Sequence, residues 1–171
     1  MMRLIRRFLV KDKQGATAIE FALLAMPFFI MLFGVMEVAL MFFTDSTLSA
    51  ALQTSVREIR TGSAQTAALD INGFKAKVCN NMAYAFNCST DLLIRADVLT
   101  DMSSVNYATA ISSGKIAVTE GFDIGSSGDF VLVQAFLPWS RILTMYGTND
   151  ATLADGRYVL AAATLFKNEP F

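Results

Sequence analysis

"KDKQGATAIEFALLAMPFFIMLFGVMEVALMFF", from Lys11 to Phe43, passes from charged, glycine-marked sequence into apolar sequence within a few residues. From Phe21 to Phe43 there are 23 residues, and Glu37 is the only charge among them. About 20 apolar residues are enough to span a bilayer, so the stretch reads as a membrane helix. Glu20 stands at its mouth, where a carboxylate is costly unless something compensates it.

Working outward, the residues up to Gly15 hold five bases (Arg3, Arg6, Arg7, Lys11, Lys13) and one acid (Asp12), a charge of +4. The chain as a whole carries −1, which leaves −5 on the remainder. A basic leader before an acidic body argues for membrane orientation and against nucleic-acid binding. It keeps residues 1–15 on the cytoplasmic side and exports the chain beyond Phe43. A cleaved signal peptide fits less well, since its apolar core is usually ~7–15 residues and ends at small residues. A plain signal anchor explains the apolar run but gives no reason for Glu20. Read alone, Glu20 is equally an acid tolerated by the dipole of a helix start.

The residues "GATAIEF", Gly15 to Phe21, resemble the processing site of type IV prepilins: a basic leader ending in Gly, then an apolar segment with Glu at its fifth position. With Ala16 counted as the first mature residue, Glu20 is the fifth. The longer stretch to Phe43 is similar to the TadE-like group of the tight-adherence (Tad, or Flp) pilus system, including a proline-interrupted apolar helix, here at Pro27. The closing "LFKNEPF" is similar more loosely. The resemblance implies cleavage between Gly15 and Ala16 by a membrane aspartic prepilin peptidase. It implies that Glu20, followed by Phe21, pairs with the new α-amino group of Ala16, on its own or a neighbouring subunit. A buried charge-assisted hydrogen bond of that kind would offset the cost of the acid. The implied partners are the peptidase, other pilins and pseudopilins, the assembly platform and membrane lipid. The implied place is a bacterial inner membrane, crossed once with the body periplasmic, or an extracellular pilus. The TadE-like and TadF-like roles are not separated.

Within the apolar helix, Pro27 is expected to kink or locally unwind it. Glu37 is expected at the outer interface, with a second inter-subunit contact as the alternative. Leu48, Leu52, Val56 and Ile59 then fall on one face at helical spacing, and Gly62 suits the position just past the helix end. Ala16 to Arg60 would make roughly 68 Å of helix, whose outer half must pack on something. A second helix is expected over Gln65 to Ala85, broken near Asn72-Gly73, with Phe74, Val78 and Met82 on one face. Strands are expected at Leu92 to Leu99, Lys115 to Thr119, Phe130 to Trp139 and Tyr158 to Phe166. The fold class is therefore α+β: a long pilin-like membrane-spanning helix packed on a small antiparallel sheet of three or four strands, with a second short helix. The organisation is a leader over 1–15, an apolar helix over 16–43 and an exported body over 44–171.

Chemistry is sparse. No histidine occurs in the sequence, which removes the commonest general base and metal ligand. Cys79 and Cys88 are too few for a zinc cluster, which leaves a disulfide or two inert thiols. Export favours the disulfide. "GSSG" within Glu120 to Asp129 lacks the context of a phosphate-binding loop. Asp123 and Asp129 in it are compatible with calcium or with a polar hairpin loop. "WSRILTMY", Trp139 to Tyr146, reads as surface packing and not as a ligand box. The reading is a structural minor pilin or pseudopilin, not an enzyme, with no cofactor, metal, nucleic acid or small-molecule substrate. The alternative is an uncleaved bitopic inner-membrane protein whose periplasmic body binds a partner or senses a ligand.

Overall fold

A computed structural model describes residues 14–101, 110–141 and 152–171. Helix α1 runs over Gln14–Arg60, 47 residues. The chain divides into two compact units, Met1–Ala39 and Leu40–Phe171, with the boundary inside α1.

In the first unit, the apolar side chains have no protein to cover them. Phe21, Leu23, Leu24 and Met31 are each at least 70% exposed, and exposure continues around the helix as far as Phe33, beyond which Gly34 and Glu37 are buried. A helix apolar all round needs an apolar medium. The helix over Thr17–Arg60, whose most apolar 18-residue window has a mean hydropathy of 2.2, is long and apolar enough to cross a membrane.

In the second unit, α1 becomes one-sided. Leu48, Ala51, Leu52, Val56 and Ile59 are buried in the main core, while Gln53, Arg57 and Arg60 remain exposed. Thr44 and Ser55 are also buried, and each satisfies its hydroxyl by donating to the carbonyl four residues back, Leu40 and Ala51. That local bond lets a polar side chain enter the core without an unmet donor. The helix stops where Gly62 takes φ +80, its amide bonded to the Ile59 carbonyl and the Ser63 hydroxyl to the Glu58 carbonyl.

Short helix α2 (Ser63–Thr66) is followed by α3 (Ile71–Asn81) and α4 (Cys88–Asp91). The helical break therefore falls at Ala67–Asp70 and not at Asn72-Gly73. Ala68 sits at φ 49, and the Asp70 carboxylate accepts the Gly73 amide at 2.8 Å, so Gly73 lies in a capped first turn. Phe74, Val78 and Met82 are buried as the spacing requires.

Among the described residues six strands follow: β1 (Leu93–Leu99), β2 (Ile111–Ser112), β3 (Lys115–Ile116), β4 (Gly121–Phe122), β5 (Phe130–Trp139) and β6 (Tyr158–Lys167). Four of them form one sheet in the order β4-β1-β5-β6. β1–β5 and β5–β6 are antiparallel, but β4 lies parallel to β1, with Arg95 opposite Gly121. The sheet is mixed where a wholly antiparallel one was expected. The Glu120 carboxylate explains the docking: it accepts the Ile94 amide at 3.0 Å and pairs with Lys75 of α3 at 2.6 Å. Lys115 to Thr119 does not join this sheet. Only β3 is strand, and it pairs with β2 across a turn in which Ser113 and Gly114 both have positive φ, the mark of a tight hairpin.

β1, β5 and β6 direct Ile94, Ala96, Val131, Val133, Ala135, Leu137, Leu160 and Ala162 into one core with α1 and α3. On the opposite face, Phe136 and Val159 pack with Leu153 and partly buried Ile111, Ile116 and Val118. With both faces covered, β5 is buried from Val131 to Trp139. The fold is α+β.

Candidate functional site

The leading turns of α1 carry the motif residues. Ala16 and Glu20 are four apart on one helix, hence on one face. Glu20 is exposed and takes part in no ion pair among the described residues. Phe21 beside it is 70% exposed. Among the described residues, a carboxylate and a large apolar ring both stand open at the start of an apolar helix. Residues 1–13, most of the expected leader, lie outside the described residues.

Pro27 lies inside α1 with helix on both sides, so no unwinding accompanies it. Its missing N–H leaves the Leu23 carbonyl without a helical donor. Just beyond it, Phe28, Phe29 and Phe33 form a ring series with centroids 5.5 and 6.2 Å apart. Glu37 is 7% exposed and already has a partner, so it is not an open carboxylate at an interface.

Cys79, at the end of α3, and Cys88, opening α4, form a disulfide with both residues 1% exposed. Inside the ring it closes, Ala83, Tyr84, Phe86 and Asn87 all have φ between 53 and 58. Each such non-glycine residue costs about 1–2 kcal/mol. Closure of ten residues contributes about 2.7 kcal/mol in the chain-entropy model, and the Phe86 ring packs on Trp139 at 5.1 Å. Both effects oppose the strain. Trp139 is thus a core side chain, 7% exposed, where surface packing was expected. Arg141 donates to the Gly156 carbonyl at 2.8 Å, and Ile142 to Tyr146 lie outside the described residues.

Sequence reasoning missed the tail. Asn168, 2% exposed, donates to the Ile124 and Ser126 carbonyls, and Glu169 meets Arg60 through its own amide and its carboxylate. The Phe171 ring lies over Gly62, where an added Cβ would meet it at 2.3 Å. "KNEPF" therefore clasps the end of α1, and its only sequence signal was the loose family likeness of the closing residues. In the loop Glu120 to Asp129, Asp123 accepts the Gly125 amide and Asp129 the Ser126 amide. Those carboxylates brace the loop. Among the described residues no three His, Cys, Asp or Glu side chains gather as a metal site. Elsewhere the Arg157 amide, and then its side chain, hold the Asp155 carboxyl below the ordinary carboxylate range.

A helix long and apolar enough to cross a membrane, whose later turns are built into an α+β body, fits a single-pass membrane protein. A family model described as TadE-like protein matches residues 15–57, from the glycine of the motif to the last full turn of α1. The match covers roughly a quarter of the chain and falls on the segment that carried the resemblance. No curated protein and no solved structure matches the chain.

Proposed function

We propose that the chain is a structural minor pilin or pseudopilin of a tight-adherence-type pilus, matured by cleavage between Gly15 and Ala16. The observation that carries this reading is the TadE-like match beginning at Gly15, on a helix that is apolar all round. Cleavage by a prepilin peptidase creates an ammonium group at Ala16, one turn from Glu20. The open carboxylate then has a cation to meet, on its own helix or on the next subunit's. Exposed Phe21 and its apolar neighbours exchange lipid for neighbouring helices as the subunit enters a bundle. The body is exported and the leader stays cytoplasmic, as the basic flank directs. No reaction is assigned to it.

Intact-mass measurement of protein from its native membrane, with and without the peptidase, tests this. The expected mature chain begins at Ala16. Retention of Met1 to Gly15 in peptidase-positive cells overturns the pilin reading and leaves the uncleaved bitopic protein.

A further inference from the structure

β6 is the outer strand of the sheet. All ten of its residues pair with β5 without a bulge. On its other side, among the described residues, only Thr152 bridges to it, at Tyr158. From Tyr158 to Phe166 it contains no charge and no proline. Long edges in natural sheets are normally blunted by such residues, because bare N–H and C=O groups invite another strand. The opposite edge, β4, is only two residues long.

Beside this bare edge runs a groove of about 340 Å³, walled by Gln53, Val56, Arg57 and Arg60 of α1 and by Thr164 to Phe166 of β6. Gln53, Arg57 and Arg60 recur at i, i+4 and i+7 along one exposed stripe. Arg60 shares Glu169 at 3.0 Å, both side chains half exposed. Arg57 has no carboxylate within ion-pair distance among the described residues. Of the two cations that line the groove, Arg60 alone therefore has a carboxylate beside it among the described residues, in a chain whose remainder beyond Gly15 is acidic.

We propose that β6 accepts an extended acidic segment of another pilus subunit as an added strand, its carboxylates turned toward Arg57 and Arg60. Main-chain hydrogen bonds to the edge supply affinity, and alternate side chains facing the helix supply selectivity. Charge decides against a second copy's β6 as the occupant. That strand is uncharged up to Lys167 and brings nothing to Arg57. The identity of the occupant as a pilus subunit rests on the proposed function; the groove's preference for an acidic strand does not.

The test uses the full chain in detergent micelles and synthetic peptides of alternating valine with glutamate, or of valine with lysine. The glutamate peptide is expected to bind saturably and to slow amide exchange along Ala161 to Phe166. Arg57→Glu, at an exposed position, is expected to weaken it at least tenfold with the Trp139 emission unchanged, and the lysine peptide is expected not to bind. Absence of binding, unchanged exchange along β6, or equal affinity for the wild type and Arg57→Glu overturns the proposal. Native protein retaining Met1 to Gly15 would overturn the pilin reading and leave the peptide result standing, so the two failures are distinct.

Discussion

Glu20 and Glu37 are the two acids between Gly15 and Phe43, and the structure treats them oppositely. Glu20 is open, whereas Glu37 is buried and partnered. An acid with no ion-pair partner among the described residues is a candidate for a contact made only on assembly, and its removal should spare the fold. Glu20→Gln keeps the shape and removes the charge that attracts an ammonium group. It is expected to leave protein level, leader cleavage and the disulfide intact while reducing incorporation into the pilus machinery. Unfolding of the body, or unchanged assembly, would reduce Glu20 to a helix-start residue. Gly62 makes the contrasting case, a residue whose role is entirely internal. Gly62→Ala places a Cβ at positive φ and into the Phe171 ring. The strain alone costs about 1–2 kcal/mol, and thermal unfolding of the body should shift down by roughly 3–6 °C.

Elements differed in how plainly they could be read. β5 and β6 were legible almost to the residue, because long apolar runs between turn signals leave few alternatives. α1 was legible because its pattern changes from apolar all round to one-sided near Thr44. The break between α2 and α3 was misplaced because Asn72-Gly73 looks like a turn. The Asp70 side chain instead caps the helix there, a bond of local geometry that composition does not reveal. β4 was missed because two residues give no period, and its parallel docking depends on Glu120 reaching β1 from 26 positions away. The strained run from Ala83 to Asn87 carries no glycine to announce it. It persists because the Cys79–Cys88 bond and the Phe86–Trp139 contact close around it. The family likeness at Gly15 to Phe21 was legible because it is local in sequence, whereas the tail's clasp on α1 is a long-range pairing. The disulfide has a direct check: denatured, unreduced protein from its native compartment should show no thiol available to alkylation. Two modified cysteines would overturn it.

At the scale of the whole molecule, the core hydrophobics of the second unit, among the described residues, begin at Met41. A fragment beginning at Thr44 is therefore expected to fold in water, with its cysteines bonded and β5 amides slow to exchange. It should be somewhat less stable than the full body, because Met41 is removed. Rapid exchange throughout β5 would show that the body depends on the membrane segment.

The clasp between Arg60 and Glu169 joins positions 109 residues apart, and this sets a clock on biogenesis. Synthesis at about 5–20 residues per second puts roughly 5–20 s between the emergence of α1 and the arrival of its last partner. Until α3, β1 and β5 follow, Leu48, Leu52, Val56 and Ile59 lack the rest of their core. A nascent chain in that condition is a natural client for a holdase. Slow translation of the stretch before β6 should then lengthen its dependence on one.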